Sequence, residues 1–163
     1  MLTAERLKEL LHYDPLTGLF TWLITVNYNA KAGSIAGTLN KNGYIHIMIA
    51  RKVYKAHRLA FLYMTGEWPK NLVDHKPPGV KSDNRWENLR EATYTQNACS
   101  RKTQKDTKSG LKGVTLTPYG TYHTAIRFEG DVLYLGTHKK AVDAAAAYND
   151  AAEILHGEFA WPT

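Results

Sequence analysis

The sequence predicts an α+β chain in two parts. Three observations carry that reading. Short apolar runs are broken by Asn, Gly and Pro turn signals, short amphipathic helices lie between them, and a basic polar stretch precedes a second strand-then-helix pattern.

A short helix is predicted over residues 4–12, with Thr3 placed to cap it and Leu7, Leu10 and Leu11 on one face. Asp14-Pro15-Leu16-Thr17-Gly18 is a turn, because Pro restricts one φ and Gly tolerates a positive one. Residues 19–22 read as a strand. Two more strands are expected at 33–39 and 44–49, joined through Asn40-Lys41-Asn42-Gly43, where the Asn-Gly pair is a hairpin signal. Ile45, Ile47 and Ile49 alternate with His46 and Met48, as a half-buried strand requires. A helix over about 57–65 follows, stopped by Gly66 and then by Pro69. Residues 71–75 read as a strand, 76–87 as a loop and 88–92 as a second strand. Thr93 and Gln96 form a capping box for a short helix running to about 101.

Residues 100–112 hold five basic side chains, one acid and no aromatic residue. That composition marks a linker and a domain boundary. Beyond it, 119–128 and 131–135 read as strands around the turn 129–131, and the alanine-rich stretch 140–156 as a helix ended by Gly157.

At 163 residues the chain suits one domain or two small ones, and 44% hydrophobic with 22% charged residues is a globular composition. The single cysteine, Cys99, excludes an internal disulfide and a multi-cysteine zinc site, and is expected to be a small buried residue. No apolar run approaches the roughly 18 residues of a membrane span, and the N-terminus lacks the apolar block of a secretion signal. A soluble intracellular protein with no membrane partner is expected.

Charge is unevenly spread. Lys and Arg outnumber Asp and Glu by 21 to 15, a net of +6. Residues 1–50 carry four basic and three acidic side chains (+1), residues 51–112 carry 14 and six (+8), and residues 113–163 carry three and six (−3). One middle segment therefore holds the excess, the footprint of a polyanion partner, with a solvated basic face as the alternative.

The stretch richest in chemistry runs Val73-Asp74-His75, then Asp83-Asn84-Arg85-Trp86-Glu87-Asn88-Leu89-Arg90, then Thr93-Tyr94-Thr95-Gln96-Asn97. Neighbouring strand residues face opposite ways, so Asp74 and His75 share a cleft only if the strand end twists. Should the next strand and helix fold back, Asn97 approaches Asp74. Carboxylate and amide oxygens then suit a hard divalent ion.

These motifs resemble the HNH endonucleases (ββα-metal, or His-Me finger), especially small phage and homing-type members. The resemblance covers residues 1–101, including Tyr13-Asp14-Pro15-Leu16-Thr17-Gly18 and Ala56-His57-Arg58-Leu59-Ala60. It implies a ββα-metal nuclease core at about 71–101, preceded by a small β-rich region. It places His75, Asn88 and Asn97 at the three HNH positions, with Asn in place of the last His. It further implies one divalent metal ion, Mg2+ or Mn2+ and not zinc, on Asp74 and Asn97, with His75 as general base. Imidazole can take a proton from water near neutral pH. The Asn88 amide can tie the loop backbone and hold His75. Arg85 and Arg90 are candidate contacts to the DNA backbone. His57 and Arg58 are read as packing and capping residues, and the remaining histidines are given no role. The loop Lys76-Pro77-Pro78-Gly79-Val80-Lys81-Ser82 departs from relatives, which more often have Ile-Asn-Gly and one residue fewer; its prolines stiffen it and remove two backbone donors.

Residues 112–160 resemble the apetala-two/ethylene-response-factor DNA-binding domain through Lys112-Gly113-Val114, Tyr119-Gly120-Thr121-Tyr122, Ala125-Ile126-Arg127, Leu135-Gly136-Thr137 and Ala144-Ala145-Ala146-Ala147-Tyr148-Asn149. This implies a three-stranded antiparallel sheet packed on one helix, with Lys112, Tyr119 and Arg127 at positions that touch DNA. Thr115, Thr117 and Thr121 stand where plant members carry Arg or Lys. The domains expected are therefore 1–101, a basic linker 102–111 and 112–163. Arg101, Lys102, Lys105 and Lys108 are expected to meet phosphates.

The resulting expectation is a homing-type, metal-dependent endonuclease acting on double-stranded DNA, as monomer or homodimer. A phage gene expressed in the cytoplasm of a bacterial host is the implied setting. The alternatives are a non-cleaving DNA-binding protein with a degenerate HNH site and, third, a role on RNA.

Overall fold

The computed structural model describes residues 1–77, 79–100 and 108–160. It divides into two compact units, Met1–Tyr94 and Thr95–Thr163. The fold is α+β: among the described residues, every strand pairing is antiparallel, in three three-stranded sheets and one two-stranded sheet. Arg101, Lys102 and Lys105 lie outside the described residues.

In the first unit α1 (Ala4–Leu10) is capped by Thr3, whose hydroxyl accepts from the Arg6 amide at 3.2 Å. The helix expected to reach residue 12 stops at Leu10, because Leu11 and Tyr13 are buried in strand β1 (Leu11–Asp14) while His12 faces solvent. Period-two burial wins over helical spacing there. β1 pairs with β2 (Leu19–Trp22), and β2 with β3 (Ile35–Ala36). The single strand expected at 33–39 is split at Gly37 into β3 and β4 (Thr38–Leu39), which join different sheets. Gly37 has φ +109, and a Cβ there would stand 2.6 Å from Ile45 Cγ2.

The Asn-Gly signal leads into β5 (Ile45–Ile49), with the Asn40 side chain accepting from the Asn42 and Tyr44 amides. A strand not foreseen, β6 (Lys52–Lys55), returns through Ala50 and Arg51, both at positive φ. Neither residue is a usual turn former, so the sequence carried no signal for it. α2 (Ala56–Thr65) follows directly and ends at Gly66 in the left-handed conformation. β7 (Leu72–His75) and β8 (Leu89–Ala92) form the two-stranded sheet, with a 3-10 turn at Trp86–Asn88 before β8.

Leu7, Leu11, Tyr13, Phe20, Ile47, Leu59 and Leu62 make the centre of the first unit. Full burial of such side chains stabilises by roughly 1.5–3 kcal/mol each. Tyr13 and Phe20 rings lie 4.7 Å apart, with Tyr63 edge-on to both.

α3 (Tyr94–Cys99) begins at the last residue of the first unit. In the second unit β9 (Val114–Leu116), β10 (Tyr122–Phe128) and β11 (Asp131–His138) form one sheet in the order β11-β10-β9. The strand expected from residue 119 starts at 122, since residues 117–121 turn back on themselves with Thr117 N donating to Thr121 O at 2.8 Å. α4 (Ala141–His156) buries Tyr148 and Ala152 against Ile126. Its small alanines allow the close approach.

Candidate active site

The site is built at the end of β7. Cross-strand register sets Asp74 opposite Arg90 and His75 opposite Leu89. Lys76 N donates to Asn88 O at 2.8 Å, closing the base of the loop between the two strands. Inside the loop Asp83 is a hub. Its carboxylate takes Arg85 through both Nε and Nη2, and takes the Asn88 amide at 2.7 Å. The Arg85 guanidinium holds the Asp83 carboxyl down to about 2. Arg85 also reaches Glu87 at 3.0 Å, so its charge is met by two carboxylates of its own loop.

His75 is 6% exposed and Asn84 3% exposed. Their side chains meet with His75 Nε2 3.3 Å from Asn84 Oδ1. Asn84 Nδ2 donates to Ser82 O at 3.3 Å, which turns its oxygen toward the imidazole. An amide oxygen only accepts, so Nε2 is the protonated nitrogen of neutral His75 and Nδ1 carries the free lone pair. Among the described residues, the buried polar side-chain atoms without a partner are His57 Nδ1, Thr124 Oγ1 and His138 Nε2. Among the described residues, His75 Nδ1 makes no hydrogen bond, and the residue as a whole is buried.

Burial is the main influence on the His75 proton and lowers its affinity; the Asn84 hydrogen bond and the Asp74 and Asp83 charges oppose this, and Lys81 adds to it. His75 therefore stays neutral at physiological pH. Edge-on against it, 5.1 Å between ring centroids, lies His57, itself 3% exposed. Desolvation, with the neighbouring His75, drives His57 down to about 3, so it is a neutral aromatic wall. Tyr44 completes the enclosure, 5.3 Å from His57 and 6.1 Å from His75 between ring centroids.

The loop is held from outside by the N-terminal turn. The Tyr13 hydroxyl donates to Asn84 O at 2.7 Å, and Trp86 N donates to Pro15 O at 3.0 Å. Gly18, at φ +73, lies so close that a Cβ would stand 2.4 Å from Arg85 N. The Tyr13–Gly18 motif thus fixes the backbone of Asn84, whose side chain meets His75.

Asp74 is ion-paired with Arg90, whose Nη2 and Nε lie 2.9 and 3.1 Å from Asp74 Oδ2. The side chains are 13% and 7% exposed. Arg90, expected at the DNA backbone, is therefore placed in the interior of the sheet edge against Asp74. The Asn88 amide, expected to tie the loop backbone and hold His75, donates to the Asp83 carboxylate, and the contact with His75 belongs to Asn84. Asp74 and Asn88 belong to the first unit and half-buried Asn97 to the second. Lys112 points Nζ at the Cys99 carbonyl, and burial lowers its pKa. Lys108 and Arg127 are exposed, as is Tyr119 in the β9–β10 turn. Cys99 is half-buried, with burial raising its thiol pKa.

Asn84, Tyr13 and His57 were not foreseen as parts of the site. Each lies in a motif that the sequence singles out, yet spacing alone does not tell which amide of Asp83–Asn88 turns inward.

Among comparisons with known proteins, no curated protein matches the chain. A solved structure described as DNA binding and cleavage by the HNH homing endonuclease I-HmuI is 26% identical, with a TM-score of 0.42, covering 54% of this chain. The match spans about half of that structure, 49% of its chain. A family model described as HNH endonuclease matches residues 54–99, the segment that carries Asp74, His75, Asn84, Asn88 and Asn97, and in this segment the chain is similar to the HNH endonucleases.

Proposed function

We propose that the chain is a metal-dependent DNA endonuclease in which His75 is the general base. The observation that supports this most is the His75–Asn84 pair. It fixes the tautomer that leaves Nδ1 basic, in the segment similar to HNH endonucleases. His75 Nδ1 takes a proton from the attacking water, while Asn84 Oδ1 accepts from Nε2–H and steadies the imidazolium that forms. His57 and Tyr44 hold the ring from behind and keep bulk water off that side.

One hard divalent cation, Mg2+ or Mn2+, would suit the oxygen donors of Asp74 and Asn97, and when bound it would offset charge on the scissile phosphate and the leaving 3′ oxygen. The second unit, with its sheet and alanine-rich helix, is assigned the targeting role, contributing Tyr119 and Arg127 to duplex recognition. The basic segment around Lys102, Lys105 and Lys108 supplies sequence-independent phosphate contacts.

Plasmid nicking tests the reading. Wild type is expected to nick supercoiled DNA with Mg2+ or Mn2+ and to lose all activity in chelator. His75→Ala is expected to lower the rate by about 10²–10⁴-fold while still binding DNA. The second reading, a non-cleaving DNA-binding protein, draws on the Arg90 guanidinium, which already neutralises Asp74. Tight binding by wild type with no metal-dependent nicking would establish it instead.

A further inference from the structure

With Arg85 and Arg90 engaged by carboxylates of their own unit, the phosphate contacts near His75 must come from other cations. Two lysines answer. Lys55 Nζ lies 4.8 Å and Lys81 Nζ 5.1 Å from the centroid of the same ring, Tyr44. They arrive from distant points of the chain, Lys55 at the end of β6 and Lys81 in the loop after β7. Lys81 Nζ also donates to Asn42 O at 3.3 Å. Both are exposed, and neither has a carboxylate partner among the described residues.

Three features mark this as more than a solvated surface. Cation–π contact restrains both side chains before any ligand arrives, lowering the entropy lost on binding. Lys55 is also the N-cap residue of the ten-residue helix α2, which has no side-chain cap and no acid in its first turn. The positive end of that helix is therefore left uncompensated beside the lysine. Finally, His57, at the second position of the helix, has a buried Nδ1 with no partner. The Tyr44 ring links this group to the base, 6.1 Å from the His75 ring.

We propose that Lys55 and Lys81, preset on Tyr44, form an anion subsite that takes a backbone phosphodiester of the DNA strand being cut, next to the bond presented to His75. The site holds the strand by charge and carries no base readout. Its placement relative to the cut bond rests on the nuclease reading above; its existence as a phosphate contact does not.

Binding of the full chain to double-stranded DNA in chelator, where no cleavage occurs, is measured across a salt series. Lys55→Gln/Lys81→Gln is compared with a control of equal charge change, Lys52→Gln/Lys70→Gln, two exposed lysines of the same unit. Thermal melts check that both variants keep the wild-type fold. The subsite variant is expected to flatten the log–log salt slope by about 0.9, the value for one phosphate, with the control slope close to wild type. Tyr44→Leu, which keeps both charges but frees them, is expected to weaken binding about two- to fivefold. Equal slopes for the subsite and control variants would overturn the proposal, even if wild type nicks DNA. A flattened slope in a chain that does not nick would retain the phosphate site and remove the nuclease reading.

Discussion

Asn84 decides which nitrogen of His75 is free, and it does so with one oxygen. A hydrogen bond from Nε2–H to that oxygen favours the protonated ring, opposing the burial that lowers its proton affinity. Asn84→Ala removes the acceptor. The acid limb of the pH–rate profile is then expected to move to lower pH, with a lower plateau because the ring is no longer oriented. An unmoved acid limb would detach Asn84 from the base. His57 makes a second residue-scale prediction. Unfolded, it takes its proton near pH 6.5; folded, it resists protonation down to about 3. Its contribution is thus complete above pH 6.5 and is lost progressively as pH falls from there toward 3. Between pH 7 and 5 wild type is expected to lose about 2 kcal/mol through this residue, at roughly 1.4 kcal/mol per pH unit once below 6.5. Urea unfolding of His57→Phe at both pH values should show that much less acid sensitivity.

At the scale of elements, the β1–β2 turn and the loop after β7 act as one piece. Burial pushes the Tyr13 phenol pKa up, so its hydroxyl remains a donor to Asn84 O at every working pH. Tyr13→Phe keeps the ring in the core and leaves a buried carbonyl unsatisfied. It is expected to cost about 1–3 kcal/mol in denaturant unfolding and to lower nicking as Asn84 loosens. Elements were legible in the sequence where local chemistry acts alone. Asn40–Gly43 announced its hairpin, Gly66 its helix end, and Leu72–His75 with Leu89–Ala92 their strands. They were illegible where tertiary packing overrides local preference. Leu11 and Tyr13 leave a helical pattern to fill the core as a strand, and Ala50-Arg51 makes a tight turn without Gly or Asn because β5 and β6 hold it. The site divides the same way. The types and spacing of Asp74, His75 and Asn88 could be read from the motif, whereas the inward turn of Asn84 and the ion pairing of Arg90 depend on contacts between strands and loops that spacing does not encode.

For the whole molecule, the concentration of positive charge in residues 51–112 is only partly available to a partner. Arg85 is held by Asp83 and Glu87, Arg90 by Asp74, and Lys112 is half-buried against Cys99 O. Lys55 and Lys81, resting on the Tyr44 ring, have no carboxylate partner among the described residues, and affinity should track the salt-dependent slopes described above rather than the net charge of +6. In the second unit the sheet presents Val132 and Tyr134 to solvent, and the β9–β10 turn presents Tyr119, under a net charge of −3 over residues 113–163.

The grip of residues 13–18 on the loop bears on how the HNH-like segment can be moved between proteins. The family-like segment starts at residue 54, yet Leu7, Leu11, Tyr13 and Phe20 furnish the floor on which α2 rests, and Tyr13, Pro15 and Gly18 supply the latch. A graft of residues 54–99 alone would carry the reactive side chains without their mooring. Any recipient scaffold has to offer a phenolic hydroxyl and a glycine-tight bend of its own at that spot, or the transplanted histidine will lack a fixed aim.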